Sequence, residues 1–227
     1  MTKDRFVKHM PCKHCGSSDG VGMYSNGIGK CFVCGKVTVE KDRETDMPEP
    51  KTPVATETLE TIESYDTRGV QERGITKQVA MHYGMKVSYN MDGTIEAHYY
   101  PYTVKGKTTA FKIRELPKAF KVKGNFSDIE LFGQSSFNRG GKTLTITEGE
   151  LDAMAVAQAN LSQSGKIYPV VSLPSSSNLN PLIANREWVR SFDTVVLMFD
   201  QDEAGEKAID KAAKIIGWDK VKVAHLP

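Results

Sequence analysis

The last third of the chain alternates short apolar runs with helical stretches. Thr143–Thr147, Tyr168–Leu173 and Thr194–Phe199 read as strands. Leu151–Ala159, a segment near Ala184–Arg190 and one running to about Ile216 read as helices, and Lys220–Ala224 as a fourth strand. Strands alternating with helices predict a parallel sheet with helices packed on it. Thr194–Phe199 is nearly all apolar, which predicts a strand buried on both faces.

The middle of the chain has a different rhythm. Order resumes near Ile62, and Gly74 precedes a short helix, Lys77–Tyr83, with Thr76 as its N-cap. Asp92-Gly93 and Lys105-Gly106 are hairpin turn signals, and Ile95–Val104 between them is rich in β-formers. Phe111 and Ile113 alternate with Lys112 and Arg114, as in a half-buried strand. Before this region the pattern lapses. Pro48, Pro50 and Pro53 lie among Thr and Glu with few large apolar residues, and acids outnumber bases from Lys41 to Asp66. Such a stretch buries too little surface to offset its ordering entropy, so a flexible tether is expected.

Composition narrows the picture without deciding it. The chain has 227 residues, 39% hydrophobic and 26% charged, with a net charge of +2. No apolar run reaches the roughly 18 residues of a membrane span, and Met1–Arg5 leads into no apolar stretch, so neither a transmembrane helix nor a secretory signal is expected. The near-neutral total conceals one basic block. Between Thr103 and Gly124 stand Lys105, Lys107, Lys112, Arg114, Lys118, Lys121 and Lys123, opposed only by Glu115. A block of one sign attracts phosphates, with Phe111 and Phe120 as candidate stacking surfaces. The alternative is a strand edge kept from aggregating by lysines.

Four cysteines, Cys12, Cys15, Cys31 and Cys34, form two C-x2-C pairs separated by fifteen residues. A two-residue gap lets both sulfurs of one turn reach one ion, and a second pair completes a tetrahedron, so one structural zinc is expected. Disulfides are the alternative, but they suit secreted chains. His9 and His14 beside the first pair are expected to be exposed or to face nucleic acid. Tyr24–Lys30 between the pairs reads either as a base-reading segment or as a plain hairpin turn.

Candidate catalytic chemistry lies at the strand ends. Glu148 follows the first strand of the α/β region, and Asp200 and Asp202 follow the third. In a parallel sheet these ends share one edge, where sites form. Clustered carboxylates suit Mg²⁺ or Mn²⁺. The competing reading makes each acid an N-cap of the next helix. Gly140-Gly141-Lys142-Thr143 looks like the tail of a P-loop, but Ser136 stands where the first glycine belongs and the segment enters a strand instead of leaving one.

In this order the pieces resemble the primase half of a T-seven-like bacteriophage primase–helicase. Thr147-Glu148-Gly149-Glu150 with Asp152, and Met198–Gly205, are similar to the two Toprim motifs. Phe111-Lys112-Ile113-Arg114 with Lys118 resembles the family's lysine motif, and Leu131-Phe132-Gly133 and Asn138–Lys142 are also similar. The resemblance implies a multi-domain α/β chain: a four-cysteine zinc ribbon (1–40), a flexible linker (41–61), a basic α+β subdomain (62–139) and a Toprim subdomain with a Rossmann-like parallel sheet (140–227). It implies DNA primase activity, the joining of ribonucleotides on a single-stranded DNA template into a short RNA primer, with the ribbon helping to read the template. Glu148, Asp200 and Asp202 would hold Mg²⁺ or Mn²⁺, and Lys112, Arg114, Lys118 and Lys121 would contact phosphates. A C-terminal helicase domain and a replicative DNA polymerase are the implied partners, no membrane is, and the implied setting is the cytoplasm of an infected bacterial host. The family carries a further acid beyond the Leu-Pro that is Leu226-Pro227 here, so the chain is expected to be a fragment. Asn26 and Ile28 replace acidic and histidine residues usual in the family, so the template triplet is expected to differ. A Toprim nuclease of phage recombination or repair, and a non-catalytic zinc/Toprim DNA-binding module, are the alternatives.

Overall fold

The computed structural model describes residues 5–25, 27–39 and 57–224. Asn26, residues 41–56 of the expected linker and Leu226-Pro227 lie outside the described residues. The chain divides into two compact units, Met1–Ala55 and Thr56–Pro227.

The first unit is one antiparallel sheet in the order β1 (Phe6–Met10), β2 (Val21–Tyr24), β3 (Ile28–Cys31), β4 (Val37–Val39). β2 and β3 pair as a hairpin, with Gly27 N–H donating to the Tyr24 carbonyl at 2.9 Å. Among the described residues its buried cluster is Cys12, Val21, Met23 and Cys31, so two of these four side chains are candidate metal ligands.

The second unit begins with α1 (Leu59–Glu63), capped by the Thr58 side chain. Three residues of the expected linker, Leu59–Thr61, are therefore helical, and Ile62 is buried. After α2 (Lys77–His82) come β5 (Lys86–Tyr89), β6 (Ile95–Val104), β7 (Lys107–Glu115) and β8 (Ala119–Gly124), an antiparallel sheet in sequence order. The two hairpin turns fall where the sequence places them. Gly93 and Lys105-Gly106 take positive φ, at 82°, 51° and 74°. Thr76 stands at the N-cap of α2, but its hydroxyl and its N–H both donate to Gln158 Oε1 rather than capping the helix.

Strand alternation gives the β5–β8 sheet two faces. Ala97, Tyr99, Phe111 and Ile113 pack with Ile62 on one. Tyr100, Tyr102 and Ala110 lie on the other, and the register places Lys112 opposite Tyr100 and Arg114 opposite His98 there. Phe111 is thus core beneath α1 and not a stacking surface, because it shares a face with Ile113.

The remaining elements are β9 (Gly141–Thr147), α3 (Glu150–Ser164), β10 (Val170–Ser172), α4 (Asn180–Ala184), α5 (Arg186–Arg190), β11 (Phe192–Met198), α6 (Glu203–Ile216) and β12 (Val221–Val223). They form a parallel sheet in the order β10-β9-β11-β12. One face packs on α4–α6 through Leu144, Ile146, Val195, Leu197, Ala212 and Ile216. α3 packs on β9 and β10 from the other side. β11 departs from the expectation of burial on both faces. Val195, Leu197 and Phe199 are buried, but Thr194, Val196 and Met198 are only half-buried, because α3 covers β9 and β10 instead.

Candidate active site and zinc centre

In the first unit both C-x2-C segments form the same turn. Gly16 N–H donates to the Cys12 carbonyl at 3.0 Å and Gly35 N–H to the Cys31 carbonyl at 2.9 Å. Both glycines have φ 74°, the left-handed conformation this turn requires. A glycine directly after each cysteine pair was the unused sequence signal for them. Cys12 Sγ and Cys34 Sγ lie 3.6 Å apart, Cys15 Sγ and Cys31 Sγ 3.7 Å, and all four sulfurs fall within 4.8 Å of one another. A tetrahedron of Zn–S bonds of about 2.3 Å has edges of about 3.8 Å. These spacings are too long for disulfides, whose S–S bond is about 2.0 Å. The cluster fits a zinc site. Backbone N–H groups of His14 and Cys15 pull the Cys12 thiol down to about 6. The Ser17 N–H lowers Cys15 as well, but burial and the other sulfurs outweigh it and push that thiol to about 12. Four sulfurs this close do not all ionise without a cation to share. His9 and His14 are exposed, with His9 Nδ1 3.1 Å from the Asp19 carbonyl.

In the second unit a cleft of about 850 Å³ opens between the β5–β8 sheet and the C-terminal edge of the parallel sheet. Glu148, Asp152 and Asp200 line it, and so do Arg73, Lys112, Arg114, Lys118, Lys121 and Phe120. Parallel topology puts the ends of β9 and β11 side by side, since Met198 pairs with Thr147. Buried Thr147 donates its hydroxyl to the Gly149 carbonyl at 3.1 Å and so shapes the turn that carries Glu148. Glu148 Oε1 accepts from the Asp200 N–H at 3.3 Å, tying the two strand ends together. Gly205 makes this approach possible. A Cβ there would collide with the Asp200 carbonyl and lie 2.9 Å from Glu148 Oε1.

The acids crowd one another. Partial burial, then the charges of Asp200, Asp202 and Asp152, raise the Glu148 carboxyl above its ordinary value. Desolvation and then Asp200 raise Asp152. Asp202 behaves as the capping alternative foresaw. Its Oδ1 accepts from Gly205 N–H at 2.8 Å as the N-cap of α6. It does not line the cleft. Among the described residues, only the cysteine quartet gathers three or more ligand atoms tightly enough for one ion. The carboxylates share an edge but are not drawn around a single point.

The basic residues divide by strand face. Lys112 is 15% exposed, with its ammonium on Glu150 and the Pro174 carbonyl, 4.9 Å from the Phe120 ring centroid. Phe120 is 51% exposed and remains a stacking candidate. Arg114 lines the cleft, and its buried Nε has no hydrogen-bond partner among the described residues. Lys118 is exposed in the loop before β8. Lys121 sits opposite Ile113, so its side chain leaves the Lys112 face and pairs with Glu115 at 2.5 Å. Arg73, at the end of a 3-10 turn, went unnoticed in the sequence because only the tertiary fold brings it to the cleft.

A parallel sheet with acids at its carboxyl edge, facing a basic antiparallel sheet, is a Toprim-type arrangement. Residues 145–227 match the Toprim-like family. The DNA helicase/primase of Enterobacteria phage T3 is 33% identical over 98% of this chain, which spans 40% of that protein. The primase fragment of the bacteriophage T7 primase–helicase is 34% identical with a TM-score of 0.66, covering 98% of this chain and 91% of that one. A second structure holds the T7 lagging-strand DNA polymerase with two primase domains bound to an RNA/DNA hybrid and dTTP. It is 30% identical with a TM-score of 0.59, covering 98% and 88%. The chain belongs to this phage primase family.

Proposed function

We propose that the chain synthesises short RNA primers on single-stranded DNA from ribonucleoside triphosphates, as the primase portion of a primase–helicase. The observation that carries this reading is the cleft itself. Carboxylates from two adjacent parallel strands stand on one side and a lysine/arginine face on the other. Desolvation, and after it the like charge of neighbouring acids, raises Glu148 and Asp152; a cation would offset both, and carboxylate oxygens are the donors a small divalent metal takes. Glu148, Asp200 and Asp202 would hold Mg²⁺ or Mn²⁺, Asp202 through the oxygen its cap leaves free, with Asp152 beside them. When bound, the metal supplies charge neutralisation for the triphosphate and a lowered pKa for the attacking 3′-hydroxyl.

The chain's own residues do the rest. Lys118, Arg114 and Lys112 offer donors to phosphate oxygens, and Arg114 Nε is a donor kept in reserve by the fold. Lys121, already paired with Glu115, contributes at the rim. The α3 and α6 N-termini, starting at Glu150 and Glu203, add positive dipole ends at the acidic edge. Phe120 offers a ring face to a base. The new bond joins the 3′-oxygen to the α-phosphorus, and pyrophosphate leaves. The zinc ribbon helps to read the template, and the working partners are a helicase domain and a replicative DNA polymerase. The setting is the cytoplasm of an infected bacterium.

Incubation with single-stranded DNA pools, Mg²⁺ or Mn²⁺ and labelled ribonucleotides tests the reading. Template-dependent dinucleotides support it. Shortened DNA would instead indicate a nuclease, and retention without chemistry a binding module.

A further inference from the structure

Beneath the cleft two buried polar side chains that the chemistry above does not use, Tyr102 and Glu150, lead to Lys112. The Tyr102 hydroxyl, on β6, donates to Glu150 Oε1 at 2.6 Å. Lys112 Nζ, on β7, lies 2.9 Å from Oε1 and 3.0 Å from Oε2 of the same carboxylate. That nitrogen also donates to the Pro174 carbonyl, in the turn after β10, at 2.5 Å. Tyr102 and Glu150 are buried.

We propose that Glu150, and Tyr102 behind it, are positioning residues that station Lys112 for a nucleotide phosphate; this rests on the primase reading of the cleft. An ammonium has three N–H donors. Its hydrogen bonds go to Glu150 Oε2 and the Pro174 carbonyl, with Oε1 held as an ion-pair contact, which leaves one N–H for a ligand on the cleft side. Lysine carries about 2 kcal/mol of rotamer entropy, and folding has already fixed it here, so a phosphate meets a preset donor. Glu150 lies two residues after Glu148, so the clamp also fixes the basic sheet against the acidic edge. Both oxygens of Glu150 already accept hydrogen bonds, which separates its role from that of Glu148. Tyr102 keeps Glu150 aimed at Lys112, and its ring packs edge-on against Phe126 at 4.7 Å.

A double-mutant cycle tests the assignment. Tyr102→Phe keeps the ring and removes the hydroxyl, and Lys112→Ala removes the stationed cation. ATP affinity, the KM and kcat of dinucleotide synthesis and the thermal midpoint are measured for the single and double variants. Tyr102→Phe is expected to weaken ATP binding and raise KM about tenfold, the loss of one charge-assisted contact, with kcat changed less. In the Lys112→Ala background the same change is expected to do nothing further. Equal losses in both backgrounds, or unchanged ATP affinity in Tyr102→Phe, overturn the proposal. Glu150→Gln supplies a second arm with the same expectation should Tyr102→Phe not fold. An unsubstituted chain that makes no dinucleotide contradicts the primase reading, and the cycle is then still decided by ATP affinity. Normal synthesis with an additive cycle sinks the positioning role alone.

Discussion

The two units hold themselves together by different means. Among its described residues, the first gathers Val21, Met23 and two of its own cysteines into one buried cluster. The second has clusters on both sides of its antiparallel sheet and another beneath the parallel sheet. Two apolar side chains contribute about 1.5–3 kcal/mol each, whereas structural zinc contributes about 10 kcal/mol or more. The ribbon's four-cysteine cluster fits a zinc ion as its main stabiliser, and the cleft unit is an apolar fold with acids at its rim. On the proposed function, a metal would be a folding element in one and a working element in the other.

Removing each metal should break the two units differently. Chelation, or Cys31→Ser, is expected to abolish hydrogen-exchange protection throughout β1–β4 and leave β5–β12 protected; a ribbon that stays protected without zinc contradicts this. Asp200→Asn should lower primer synthesis about 10²- to 10³-fold, the scale of losing a principal electrostatic contact, with retention on single-stranded DNA unchanged. Equal loss of both would make the acid structural. Gly205→Ala forces a methyl against the Asp200 carbonyl, at a cost of about 1–3 kcal/mol. A urea midpoint equal to that of the unsubstituted protein would show that the edge adapts freely. Lys118→Ala should raise the nucleotide KM about tenfold and barely alter stability; an unchanged KM removes Lys118 from the site.

The smallest expected effect concerns pH. Hydrogen bonds from Arg68, Thr67 N–H and Tyr89 hold the Asp66 carboxyl at about 2, below its ordinary 3.8. A depressed folded value means that Asp66 stabilises the fold above pH 3.8 and that this stabilisation is lost as pH falls toward 2. Asp66→Asn should flatten that part of the urea-midpoint profile, and an unchanged profile would mean that solvent screens the pair.

Features encoded locally were readable in the sequence. β6 runs from Ile95 to Val104 as its β-formers suggest, the Asp92-Gly93 and Lys105-Gly106 turns are hairpins, and Glu148 and Asp200 end adjacent parallel strands. Features set by a partner elsewhere were not. Asp202 shows an N-cap signature and a metal-ligand signature equally well, and only the Gly205 contact shows the first in use. The basic block looked uniform until strand register sent Lys112 and Lys121 to opposite faces and Phe111 into the core. Arg73 and Tyr102 carry no local signal, because each gains its place through contacts far along the chain.

In the proposed function the ends of strands β9 and β11 jointly hold a divalent metal. Crystals of the protein soaked in Mn²⁺, with data collected on both sides of the manganese absorption edge, test it most directly. An anomalous peak bonded to both Glu148 and Asp200, at roughly 2.1 Å as expected for a small divalent cation, is the predicted result. Absence of any peak there in an otherwise undisturbed cleft would contradict the account.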